Sequence, residues 1–218
     1  MQRPQPHPRN GAGKWDPYPR WRGYLRRFDY SRVILGTGFT ILFVGGGSRF
    51  AFGLMLKPMT EDLGWSRTSL SLAVTTFLVV SALTIPIVGR LADRYDLRWI
   101  IASGAITSAI GIGLMGFVHA RWQVFLLYGL VYAVGQTAAS MAPIVVMISR
   151  WFVRRRGMAN SAVISGNAMG QLVIITMLAS RLSSVGWRMS FAALGVISAV
   201  VVFPLALIAV RSRPPPEP

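Results

Sequence analysis

The chain has no cysteine, two histidines and few charges: Asp, Glu, Lys and Arg make up 14% of its 218 residues. Each shortage removes a class of protein. Without cysteine there is no disulfide framework and no thiolate metal site. His7 and His119 lie far apart and form no ligand cluster, so neither a metal nor any other cofactor is expected. The signatures of common catalytic sites (HExxH, the phosphate-binding P-loop, GxSxG) are missing as well, and no enzyme is expected. Soluble domains carry about a quarter charged residues. A chain that is 53% hydrophobic holds more apolar residue than one soluble core of this length takes up, so lipid is the expected solvent.

Acid is scarcer still. Seven acids face 23 basic residues, for a net charge of +16, and Lys14 and Lys57 are the only lysines. A nucleic-acid binder would share that balance. It would not commit half its residues to continuous apolar runs, and no nucleic-acid partner is expected.

What is present is apolar length. Six runs stand out: Val33–Leu56, Leu70–Val88, Trp99–Val118, Val124–Ile148, Ala159–Leu182 and Trp187–Val210. Each is long enough to cross a hydrocarbon layer of about 30 Å as a helix. The expected fold is an all-α polytopic membrane protein of six transmembrane helices over 33–210, with the lipid bilayer as its surroundings. Residues 1–32, rich in Pro, Gly and Arg, read as a disordered basic tail and not as a signal peptide. Residues 211–218, with their proline run, read as the start of a linker.

Basic residues set the orientation. Seventeen lie in the two ends of the chain and the segments 89–98 and 149–158, against five in the opposite loops. The positive-inside rule then places both termini in the cytoplasm, in the cell's inner or plasma membrane, and an even number of spans requires them on one side.

Inside the runs the polar residues are few. FVGGGSRF (43–50) puts three glycines near the middle of the first run, where they would weaken the helix, as in broken transporter helices. Arg49 follows, about 7 Å past the midplane at 1.5 Å per residue. A charge at that depth costs about 2.5–3.5 kcal/mol on insertion scales, so it either faces a cavity or snorkels to headgroups. No run contains Asp or Glu, which favours an anionic solute over a cationic one. Tyr128, Tyr132, Gln136 and Ser140 climb one face of the fourth run at a spacing of four. Asn160, Asn167 and Gln171 do the same in the fifth. Such rows either line a binding site or hydrogen-bond between helices. Gly166 and Gly170 form a GxxxG close-packing face.

The densest charge lies in GRLADRYDLR (89–98), between the second and third runs. Its glycine suits a tight turn, and Asp93 suits a helix N-terminus. The stretch resembles the Gly-x-Leu-Ala-Asp-Arg-x-Gly-Arg-Arg/Lys signature of the major facilitator superfamily. Gly89, Leu91, Ala92, Asp93, Arg94 and Arg98 match. Asp96 stands where that family has glycine, and aspartate visits left-handed backbone better than most residues. LKPMTEDLGWSRTSLS (56–71), RWFVRRRGMANS (150–161) and the GWR at 186–188 resemble the monocarboxylate- and oxalate-transporter-like branch.

The resemblance implies half of that fold: two inverted three-helix repeats, with SRLSSVGWR (180–188) faintly echoing GRLADRYDLR. It implies secondary-active transport of a small organic anion, such as a monocarboxylate or dicarboxylate, by alternating access. Arg49, Tyr128, Tyr132, Gln136, Asn167 and Gln171 become candidate solute-binding residues. Gly89, Asp93, Arg94 and Arg98 become a cytoplasmic gating loop whose Asp93 and Arg94 pair with a second bundle. That bundle would be a C-terminal six-helix half or a second copy, the chain itself being an N-terminal half or a fragment. The alternative is a six-span membrane scaffold or assembly partner that transports nothing.

Overall fold

A computed structural model describes residues 21–152 and 155–210. Residues 1–20 of the expected tail, 153–154, and the expected linker at 211–218 lie outside the described residues. Six long helices follow one another: α1 (Trp21–Leu63), α2 (Arg67–Arg94), α3 (Leu97–Phe117), α4 (Arg121–Trp151), α5 (Arg156–Leu182) and α6 (Ser184–Ile208). The helix of α1 begins at Trp21, well ahead of its apolar run, whose membrane-length part is Arg32–Leu63. The six spans have 21–32 residues, or about 32–48 Å at 1.5 Å per residue, enough to cross the hydrocarbon core.

The pairing of helices repeats. α1 packs along α5 and against α6, α4 packs against α2 and α3, and α3 and α6 meet back to back. Exchanging α1-α2-α3 with α4-α5-α6 turns the α1·α5 pair into α4·α2, and α1·α6 into α4·α3. The two halves are therefore inverted three-helix repeats, as expected of the fold class.

Glycine sets how closely these pairs approach. A Cβ built on Gly170 of α5 would overlap the carbonyl of Phe43 in α1, and one on Gly166 would come 2.7 Å from the Phe39 carbonyl. The expected GxxxG face is thus the α1·α5 seam. Gly111 and Gly135 make the matching approach between α3 and α4, and Gly113 meets Gly195 between α3 and α6. Between helices in lipid there is little hydrophobic gain, so backbone-to-backbone packing through small residues supplies the attraction.

Beside a small apolar cluster of Val88, Ala92, Ile100 and Ala138, two large ones fill the bundle among the described residues. One joins Ile34, Ile101, Ile148 and Val163 at the end holding the α2–α3 and α4–α5 connections. The other joins Phe52, Phe77, Tyr128 and Phe191 toward the opposite end. Outside, α2 presents Leu72, Leu83 and Ile87, and α5 presents Leu172 and Met177, all more than half exposed. Only 17% of the most apolar stretch of α2, and of α5, is buried inside the bundle, against 61% for α3. A continuous apolar surface of this extent is not tolerated in water. The chain is a multi-pass membrane protein.

One expectation about helix continuity moves to another helix. Gly45–Gly47 stay helical within an unbroken α1. The interruption lies in α4, at Ala139 (φ −100°, ψ 21°) and Ser140 (φ −82°, ψ −176°). Pro143 explains it. Its ring clashes with the carbonyl four residues earlier, which is Ala139, and it has no N–H to offer there. A further helix of eleven residues, Met141–Trp151, then completes α4.

Candidate functional site

The solute-site candidates gather around the middle of α1. The three glycines turn α1 into a smooth rod, and polar side chains from two neighbours close on it. Gln136 of α4 donates from Nε2 to the Gly45 carbonyl at 3.2 Å. On the other side Asn167 of α5 lies so near Gly46 that a Cβ there would come 2.5 Å from its Oδ1. Gln136 and Asn167 thus flank α1 at one level and are both half-buried. Gln171, one turn further along α5, is also half-buried.

Arg49 lies one turn beyond Gly45 and is exposed. Its guanidinium sits 5.4 Å from the centre of the Phe77 ring on α2 and 5.7 Å from that of Phe50. These are cation–π contacts, which hold the charge without neutralising it. Among the described residues the ion pairs are Lys57–Glu61 and Arg188–Asp62, so Arg49 has no carboxylate partner there.

Tyr128 and Tyr132 take a different place. Both are buried behind this level, in an aromatic stack with Phe52 and Phe77. Tyr128 lies 3.9 Å from Phe52, ring centre to ring centre, and 5.4 Å from Tyr132. Its hydroxyl donates to the Arg49 carbonyl at 3.3 Å, fastening α4 to α1 at the arginine's own position. The polar row of α4 therefore meets α1 along its length, through Tyr128 at Arg49 and Gln136 at Gly45. Of the six candidates, Arg49 is exposed and Gln136, Asn167 and Gln171 are partly accessible.

The loop at 89–98 is mostly helix, which corrects three expectations. α2 runs to Arg94, so Gly89 is an exposed helical residue with open space around it and makes no turn. The turn is Tyr95 and Asp96 alone, both in extended backbone with negative φ, so Asp96 needs no left-handed conformation. Asp96, not Asp93, precedes the first turn of α3. Asp93 lies instead in the last turn of α2, at the negative end of the helix dipole, where a carboxylate is disfavoured. Asp93, Arg94, Asp96, Trp99 and Arg150 line a groove of about 950 Å³ between α2, α3 and α4. Arg98 is exposed and its guanidinium lies 5.7 Å from the Trp99 ring centre.

A second charged cluster went unread in the sequence. At the opposite end, Arg188 Nη1 donates to the carbonyls of Gly116 (3.4 Å) and Val118 (3.2 Å), and Nη2 lies 3.6 Å from Asp62 Oδ2. Trp187 Nε1 donates to the same carboxylate oxygen at 3.2 Å, and the guanidinium lies 4.5 Å from the Trp187 ring centre. A cation here meets the unpaired carbonyls at the end of α3, where the dipole favours it. α1, α3 and α6 are tied together. Gly186, at φ 77° and ψ 164°, makes the joint that starts α6 in this direction, a conformation open to glycine alone. The GWR segment was the available signal, but its partner Asp62 lies over a hundred residues away.

Comparison with known proteins decides the family. The family model described as Major Facilitator Superfamily matches residues 38–218. The chain belongs to the major facilitator superfamily. Among curated members of this superfamily it is similar to an uncharacterized MFS-type transporter, YcxA, of Bacillus subtilis, at 25% identity over 81% of this chain and 44% of that protein. It is similar to monocarboxylate transporter 11 of Mus musculus, at 25% identity over 85% of this chain and 43% of that protein. An oxalate:formate antiporter of Oxalobacter formigenes is 24% identical over 74% of this chain and 38% of that protein. The chain thus spans less than half the length of these superfamily members.

Proposed function

We propose that the chain is the substrate-facing N-terminal half of a secondary-active transporter for a small organic anion, a monocarboxylate or dicarboxylate. The observation that carries this reading is Arg49: an exposed guanidinium near the middle of α1, held by aromatic rings and by no carboxylate among the described residues. Gln136 and Asn167 beside it add neutral hydrogen-bonding groups. A charge in a dry site needs an opposite charge to be stable, and an anionic solute supplies it. The names of two relatives, a monocarboxylate transporter and an oxalate:formate antiporter, agree with that class.

The second bundle, a C-terminal six-helix half or a second copy, covers the exposed faces of α2 and α5. Asp93 and Arg94 latch to it across the groove at the α2–α3 end. Asp93 supports this role because it stands in a disfavoured position with no hydrogen bond or ion pair among the described residues. The α2–α3 and α4–α5 connections and both termini face the cytoplasm of the inner or plasma membrane. The absence of native cysteine makes that orientation simple to check. A cysteine at Ser66 should react with an impermeant maleimide added outside intact cells, and one at Arg155 should not.

The functional test is uptake of radiolabelled oxalate and lactate into proteoliposomes holding this chain together with a C-terminal half. Uptake that Arg49→Ala abolishes and Arg49→Lys partly restores is the expected result. Uptake indifferent to Arg49→Ala removes the anion reading, and no uptake of any solute favours a scaffold.

A further inference from the structure

Behind the Gln136–Gly45 contact lies a small void of about 10 Å³. It lies where α1, α3, α4 and α6 meet, and its polar wall is Ser48, Ser108, Tyr132, Gln136 and Ser198. Tyr132 is 1% exposed and Ser48 is 2% exposed. The Tyr132 hydroxyl and the Ser48 hydroxyl are both buried with no hydrogen-bond partner among the described residues. Leaving such groups unpaired in a dry interior costs far more than an ordinary hydrogen bond returns. Ala139, where the hydrogen-bond ladder of α4 is interrupted, lines the same void.

We infer that this void is a binding site for a single water molecule, shared by the two inverted repeats. Three observations converge on that guest. The volume matches the minimum that holds one water. The chemistry matches too: Tyr132 and Ser48 each have a proton to give, while Ser108 has spent its own on the Ala105 carbonyl at 3.0 Å and can only accept. A water accepts from the first two and donates to the third. A metal ion or hydronium does not fit, because no carboxylate lines the void to balance its charge. The water joins α1 and α3 of one repeat to α4 of the other, directly behind the level of Gly45, and does so whatever solute the bundle carries.

The sign of a stability change tests the inference. In detergent, Tyr132→Phe and Ser48→Ala should each lower the melting temperature by about 2–4 °C, and the double variant should fall by less than their sum. If the void is dry, each substitution removes an unpaired hydroxyl, and the melting temperature stays level or rises; that result overturns the site. A second measurement needs no variant. Brief X-ray radiolysis of the parent chain in nanodiscs, in ¹⁸O-labelled water, should hydroxylate Tyr132 with label despite its burial. An unmodified Tyr132, beside labelled exposed tyrosine Tyr95, likewise overturns it.

Discussion

The two ends of the bundle are built on opposite plans. At the end of the α1–α2, α3–α4 and α5–α6 connections, Arg188 gathers Asp62, Trp187 and the carbonyls of Gly116 and Val118 into one knot. At the other end, Asp93, Arg94 and Arg150 surround an open groove, and Asp93 and Arg94 take no partner among the described residues. The inverted repeat makes the contrast sharper. The α5–α6 joint is the internal counterpart of the α2–α3 connection, and Arg188 and Arg98 close the two sequence segments that echo one another. Arg188 is satisfied within this half, whereas Arg98 is exposed beside Trp99. The closed end is therefore braced within this half, while Asp93 and Arg94 at the open end stay exposed.

The largest expected effect breaks the frame on which both ends rest. Gly170→Val drives two methyl groups into the Phe43 backbone and should destabilise the bundle by about 3 kcal/mol, seen as loss of monodisperse protein in detergent. Arg188→Ala unties the closed end alone. Its hydrogen bonds to carbonyls are worth about 2 kcal/mol, while the partly exposed ion pair adds little; the melting temperature should fall and Arg188→Lys should recover part of it. Trp187→Phe removes one hydrogen bond to Asp62 and should cost about 1 kcal/mol by the same measurement. Asp93→Asn at the open end should change the stability of this chain by less than about 0.5 kcal/mol. Paired with a second half, it should change the labelling rate of a cysteine introduced at Ser103, in the groove wall. A fall in melting temperature for Asp93→Asn as large as that for Arg188→Ala would erase the contrast between the ends.

The helices were legible because lipid demands continuous apolar length; the last four runs end within a few residues of the helices found, while α1 overshoots its run at both ends and α2 overshoots its run at Val88. The close-packing face of α5 was legible too, since GxxxG has a direct geometric meaning, but its partner α1 was not. The glycines of α1 were not. Three glycines weaken a helix when it stands alone, but in a bundle they admit neighbours, and Gln136 and Asn167 fill the space beside them. Pro143 carried the true signal for a break, four residues past the carbonyl it disturbs. The loop at 89–98 was read as a turn because charge resembles solvent exposure; helix continued through it because nothing from Gly89 to Arg94 prevents it. The spacing of Tyr128, Tyr132 and Gln136 gave a shared face but not a depth, and the structure divides that face between a buried aromatic stack and a half-open polar edge. Arg188 and Asp62 could not be paired from sequence, because no periodicity links positions so far apart.

Where Gly170 meets Phe43 and Gly113 meets Gly195, main chain rests on main chain. Such seams have no layer of rotatable side chains between them to absorb displacement. A displacement of one helix therefore passes directly to its neighbour across such a seam, and α1 with α5, and α3 with α6, are coupled as pairs.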